Sequence, residues 1–314
     1  MNIASMIKRV ARGRNGAENL NQQEAASLFD KLLLAEADPL QLGAFLIAQR
    51  MKGETAAELA GFVEAARLHI ALAPVIPPLT VDLPCYAGKC RAPHAYLKAA
   101  INARDAGIPV FVHGVKAIDG RISAGQVLQA AGVACVDNLI DAADLLHRQG
   151  IVYVDLSDLC PDLFRIYTLR ERLGVRSFAN SVARLLNPMA CAGQLNGFFH
   201  TPYADYMAKA NVLLGQPRSL LFMGAEGEPE LYADRQKVIK KQQGAEISNL
   251  QFKAANASPY ARESMDLSTL QQQSELLLAG KSSEREDAVI KRMGEAFAWA
   301  AHGYQLGNEW REEI

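Results

Sequence analysis

The stretch Ala37-Asp38-Pro39-Leu40-Gln41-Leu42-Gly43-Ala44-Phe45-Leu46-Ile47-Ala48-Gln49-Arg50-Met51-Lys52-Gly53-Glu54-Thr55 decides how the rest of this 314-residue chain is read. Asp38 before Pro39 is a helix cap followed by proline at the first helical position, where a missing N–H leaves no bond unmade. Thr55 stands three residues before Glu58, the spacing of a capping box. Behind it, Leu59, Phe62, Val63 and Ala66 follow the i, i+3, i+4, i+7 stripe of a buried helix face. Upstream, Asn21 and Glu24 repeat the capping-box spacing. The first seventy residues thus read as a helical module, ended by the proline-rich stretch Pro74 to Pro84.

Beyond that boundary short apolar runs alternate with helical stretches. Pro109–Val112 ends at His113-Gly114, Ile151–Val154 at Asp155, and Ser219–Phe222 at Met223-Gly224. Continuous apolar strands followed by helices predict a largely parallel sheet covered on both faces. Ligands of such sheets sit beyond the carboxyl ends of the strands, which brings Tyr86–Arg91, His113–Lys116 and Gly224–Glu230 toward one crevice.

Half of the residues are hydrophobic and 21% are charged, the profile of a soluble globular protein. There is no run of eighteen apolar residues and no apolar leader in Met1–Arg14, so the expectation is a cytoplasmic protein with no membrane partner. Five scattered cysteines (Cys85, Cys90, Cys135, Cys160, Cys191) match neither a disulfide framework nor zinc spacing and read as reduced thiols. The net charge of −1 argues against a nucleic-acid binder, but the charge is unevenly spread. Lys8, Arg9, Arg12 and Arg14 form one acid-free segment; Lys89, Arg91, Lys98 and Arg104 form a second. Arg165, Arg170, Arg172, Arg176 and Arg184 stand against Glu171 alone, and Arg235, Lys237, Lys240 and Lys241 against Asp234 alone.

The Ala37–Thr55 stretch closely resembles the N-terminal helical module of the anthranilate phosphoribosyltransferases. The resemblance resumes at His113-Gly114, Val127-Leu128 and Gly132-Val133, and again at Leu173-Gly174-Val175-Arg176, Asn180 and Leu186-Asn187-Pro188. It implies the α/β fold shared with class II nucleoside phosphorylases: a small all-helical domain (1–75 with roughly 159–190) and a larger α/β domain (76–158 and 191–314). The latter has a mostly parallel central sheet flanked by helices.

The family's motifs are altered one by one. Its glycine-rich phosphate turn, GTGGDG, is Cys85-Tyr86-Ala87-Gly88-Lys89-Cys90 here, and only side-chain-free backbone curls easily around a pyrophosphate. Its KHGNR is Val112-His113-Gly114-Val115-Lys116, with Asp119 and Gly120 where serines stand. Its magnesium-binding Asp-Glu pair is Pro229-Glu230, and proline offers no ligand; Glu226, Glu228 and Glu230 read as a solvated acidic turn. Arg170 matches the arginine that contacts the anthranilate carboxylate and Asn180 is retained, but HPAMK has become Cys160–Phe164, and Ala183-Arg184 replaces a glycine-proline pair.

The leading expectation is a non-catalytic, largely sequence-independent binder of DNA or RNA phosphates, similar to the YbiB-type branch of this family. Its groove would be lined by Lys89, Arg91, Lys116, Arg170, Arg176, Arg184, Arg218, Arg235, Lys237, Lys240 and Lys241, with Tyr86, Tyr96 and Phe199 either stacking the bases of a single strand or lying in the core. Tyr86, Gly88, His113, Gly114 and Asn180 would remain as a vestigial substrate site, with His113 held by a local hydrogen bond. The resemblance further implies a homodimer through the helical module. The alternative is a pentosyltransferase with an altered substrate, using phosphoribosyl pyrophosphate; only that reading calls for magnesium.

Overall fold

The computed structural model describes residues 2–13, 15–72, 74–304 and 306–313; Arg14, counted above in the N-terminal basic segment, lies outside them. Four helices open the chain: α1 (Ile3–Val10), α2 (Gln22–Leu33), α3 (Pro39–Lys52) and α4 (Ala56–Leu68). Their starts are the expected ones. Asn21 and Thr55 close capping boxes with Glu24 and Glu58, and the Asp38 carboxylate accepts from Leu40 N.

There follow β1 (Val81–Cys85), α5 (Ala95–Asp105), β2 (Val110–Gly114), α6 (Ala124–Ala130), β3 (Cys135–Val136), α7 (Leu139–Gln149) and β4 (Ile151–Asp155). Four short helices come next: α8 (Leu156–Leu159), α9 (Pro161–Tyr167), α10 (Arg170–Leu173) and α11 (Ala179–Leu185). The chain then runs through β5 (Gly193–Phe198), α12 (Tyr203–Leu213), β6 (Arg218–Met223), β7 (Ile239–Gln243), β8 (Glu246–Phe252), α13 (Leu267–Leu278), α14 (Glu284–His302) and β9 (Trp310–Glu313).

The strands form one sheet in the order β3-β4-β2-β1-β5-β6-β7-β8-β9. The first six are parallel and the last three extend the sheet antiparallel. Gly114 at the end of β2 is a packing requirement: a Cβ there would lie 2.1 Å from Cys85 O on the neighbouring strand.

Two apolar cores flank the sheet. One joins the helical module to the α8–α11 segment through Phe29, Phe45, Phe62 and Phe178, with Phe62 and Phe178 stacked at 4.2 Å. The other packs α5, α13 and α14 against the opposite face around Tyr96, Phe222 and Phe297. Among the described residues no helix is long and apolar enough to cross a membrane, and all five cysteines are free thiols.

Candidate functional site

The loops leaving the carboxyl ends of β1, β2, β5 and β6, four neighbouring strands, meet at one crevice. The β1 turn, Tyr86–Arg91, faces the β6 loop, Gly224–Glu230. Ala87 N donates to Glu228 Oε1 at 3.0 Å, and Gly88 N donates to the same oxygen. Cys90 N donates to Glu226 Oε2 at 2.8 Å and Arg91 N to Glu226 Oε1 at 3.1 Å; the Tyr260 hydroxyl donates to the latter oxygen at 2.7 Å. Four backbone N–H groups of the turn therefore already hold carboxylates of the same chain. Gly88 is needed for this shape, because at its φ of +63° a Cβ would press on Arg121, Ile118 and Ile122 O.

Lys89 lies beneath the turn and is fully buried. Its ammonium pairs with Glu230 and donates to Pro93 O at 2.7 Å, while Glu230 Oε2 accepts from Tyr96 N at 3.2 Å. Two expectations are corrected here. Lys89 does not line a groove, and the three glutamates are not a solvated turn, because the N–H groups and Lys89 supply the solvation that water would have given.

Burial pushes the Glu228 and Glu230 carboxyls above the ordinary range, against the opposing charges of Arg184 and Lys89. Burial also pushes Glu226 upward, but there Lys89, Cys90 N and the Tyr260 hydroxyl outweigh it and hold the group below the ordinary range. Glu226 adopts φ +58°, a left-handed conformation that such a residue keeps only when its surroundings over-determine it. Glu228 Oε2 is buried without a hydrogen-bond partner among the described residues.

These carboxylates do not fit a magnesium ion. Glu226 and Glu228 are turned onto N–H donors, Glu230 onto a lysine, and Pro229 supplies nothing. Among the described residues no group of three or more His, Cys, Asp or Glu side chains is placed to hold a metal.

The facing wall comes from α9–α11. Arg170 and Arg176 are exposed and have no acidic partner among the described residues; Arg172, also exposed, lies between them. Arg184 donates from Nε to Gly197 O and from Nη1 to Asn180 O, both at 3.0 Å, and lies 5.8 Å from the Tyr86 ring. Arg121, half-buried, donates to Gly88 O at 2.9 Å and stands 3.6 Å from Glu226. Partial burial lowers the Arg176 pKa, and repulsion from Arg170, Arg184 and Arg121 lowers it further, so these four arginines share one electrostatic neighbourhood.

Arg121 was not expected. It pairs with groups more than thirty residues away, and a lone arginine after Gly120 carries no motif. The other side of the glutamate lock was equally invisible, since the partners of Glu226 and Glu228 lie about 140 residues upstream.

The remaining expected residues are dispersed. Arg91 is half-exposed beside Arg262, and Lys116 is exposed at the β2 end, paired with Asp158 at 3.0 Å. Arg235 and Lys237 flank the Tyr232 ring at 5.4 and 5.8 Å, near Tyr260. Three residues are removed from the crevice. Arg218 opens β6 at the opposite end of the sheet and caps α14 by donating to Ala300 O and Ala301 O. Lys240 and Lys241 lie on antiparallel β7 and pair with Asp205 and Glu312.

Tyr86 and Tyr96 are buried and cannot stack bases. The Tyr86 hydroxyl contacts His113 Nδ1 at 2.7 Å, and His113 Nε2 lies 3.2 Å from Asp82, all inside the protein. The Tyr167 hydroxyl donates to Tyr86 O at 3.1 Å, and Asn180 accepts from Arg184 through its main-chain carbonyl. The residues expected to be vestigial thus brace the crevice from behind.

Comparison with known proteins matches this architecture. Residues 4–69 match the helical bundle domain, and residues 96–309 the a/b domain, of the glycosyl transferase family. The chain is 33% identical to the protein YbiB of Escherichia coli (strain K12), over 76% of this chain and 74% of that one. It is 26% identical to an anthranilate phosphoribosyltransferase of Bradyrhizobium diazoefficiens, over 97% and 90%. The crystal structure of the anthranilate phosphoribosyltransferase from Thermus thermophilus superposes with a TM-score of 0.79 at 22% identity, covering 95% of this chain and 90% of that one. A Saccharomyces cerevisiae counterpart, solved in complex with PRPP and Mg, gives 0.77 at 16% identity, covering 96% and 89%. With both domains matched in order, the chain belongs to glycosyl transferase family 3, on the anthranilate phosphoribosyltransferase fold.

Proposed function

We propose that this chain binds nucleic acid through the phosphate backbone and does not transfer phosphoribosyl groups. One observation carries the reading: the turn that would receive a pyrophosphate is closed by Glu226 and Glu228, while Arg170 and Arg176 stand exposed on the segment whose Arg184 lies 5.8 Å from the Tyr86 ring. Backbone binding needs positive charge along a groove and little base readout, and DNA and RNA both satisfy it. The pentosyltransferase alternative needs free turn N–H groups and free acids, and here each set is bonded to the other.

The test is fluorescence anisotropy of a labelled oligonucleotide at several salt concentrations, with wild type and the R170A/R176A variant. Binding should fall with salt at a log–log slope of about −0.7 to −0.9 per phosphate neutralised, and the variant's slope should be shallower by about that amount for each phosphate it no longer neutralises. An absence of binding at low salt refutes the proposal. Calorimetric binding of phosphoribosyl pyrophosphate with magnesium would favour the transferase.

We further propose a homodimer through the helical module. Leu40, Ala44, Ile47 and Met51 make an exposed apolar stripe along α3, with Leu40 and Met51 79% and 82% exposed. Sedimentation velocity should give a dimer for wild type and a monomer for Met51→Glu; a monomeric wild type at micromolar concentration rules the pairing out.

A further inference from the structure

Phe199 follows the last residue of β5, at the carboxyl edge of the sheet, and is 47% exposed. A methyl group built on Gly227 would meet Ala87 Cβ at 3.4 Å and Phe199 Cβ at 3.5 Å, so the ring stands beside the closed turn. Arg121 donates to Gly88 O on that turn, and Arg184 holds Gly197 O two residues before Phe199. His200 meets Phe199 edge-on at 5.0 Å, and Tyr203 follows, its hydroxyl accepting from Arg50 at 3.3 Å. A half-exposed aromatic ring thus stands beside the closed turn and against a histidine, two residues after the carbonyl that Arg184 holds.

We infer that Phe199 is a stacking platform for an unpaired nucleobase, and that the crevice therefore takes single-stranded nucleic acid in preference to duplex. The inference rests on the nucleic-acid reading above and specifies its substrate. In a duplex both faces of each base are covered by neighbours, so only an unpaired base offers a free face to a side chain. Phosphates neutralised by Arg170 and Arg176, which have no acidic partner among the described residues, would hold the strand in the crevice. Every base has a π-face, so such a platform adds affinity without adding sequence preference.

The experiment compares two labelled probes of equal length and charge, a mixed-sequence single-stranded DNA and an abasic deoxyribose-phosphate oligomer, on wild type and Phe199→Ala. Wild type should bind the base-bearing strand more tightly, and F199A should lose roughly five- to 150-fold on that strand while binding the abasic one unchanged. A second variant, Phe199→Trp, places a reporter in the crevice, since Trp299 and Trp310 are buried. Its emission should be quenched by the base-bearing strand and not by the abasic one. If F199A keeps the margin between the probes, or weakens both equally, the platform is wrong while backbone binding stands. If neither probe binds wild type at low salt, the underlying reading falls and the platform with it.

Discussion

The two walls of the crevice carry similar kinds of residue and opposite kinds of chemistry. In the Tyr86–Arg91 wall, the lysine has a carboxylate and four N–H groups have two more. In the α9–α11 wall, Arg170 and Arg176 are exposed without acidic partners among the described residues, and Arg184 adds positive charge beside them. A buried charge survives only when paired and hydrogen-bonded, so the first wall had to be balanced within the chain. An exposed arginine has no such requirement and keeps its charge for a partner molecule. Lys240 and Lys241, at the far side of the sheet, are an intermediate case, paired with the partly exposed acids Asp205 and Glu312. What separates a structural cation from a functional one here is the partner, not the number of basic residues.

The sharpest way to break this comparison is to remove one cation from each region. Lys89→Met leaves Glu230 buried without its counter-charge and should destabilise the fold by about 3–5 kcal/mol in urea denaturation. Lys240→Met removes a surface pair and should change stability by about 0–1 kcal/mol. The double variant K89M/E230L should recover much of the loss, because an apolar pair of similar volume needs no solvation. A K89M protein as stable as wild type would mean that Lys89 reaches solvent, and the turn wall would then rejoin the phosphate-binding surface.

Much of the fold was legible because it is written in local signals. Asp38-Pro39, the Asn21 and Thr55 boxes and the apolar runs ending at Gly114, Asp155 and Met223 each act within a few residues. The antiparallel extension was missed because Ile239–Gln243 is a polar, lysine-bearing strand without an apolar run. The site was harder to read. The sequence reveals that glycines left the phosphate turn and that glutamates stand near the end of β6, but the two changes are one interaction joined by tertiary structure. The same distance hid the fate of Lys89 and Arg218, whose partners come from segments that only the folded sheet brings near.

The smallest effect lies inside the glutamate wall. Burial holds Glu228 above the ordinary carboxylate range, so at intermediate pH the folded chain keeps a proton that the unfolded chain has released. The stability this contributes is complete below the unfolded value, about 4.3, and is lost as pH rises through the folded value. A glutamine there does not titrate, so the melting temperature of E228Q minus that of wild type should increase between about pH 4 and pH 8. Glu226 is held below the ordinary range, so its contribution is present above the unfolded value and disappears as pH falls. The difference for E226Q should therefore be most negative near neutrality and shrink toward acid pH. Opposite trends from two glutamates two residues apart are expected only if one carboxylate is over-supplied with donors and the other under-supplied. Flat curves for both would mean that water reaches the turn, and that an incoming phosphate could still compete for its N–H groups.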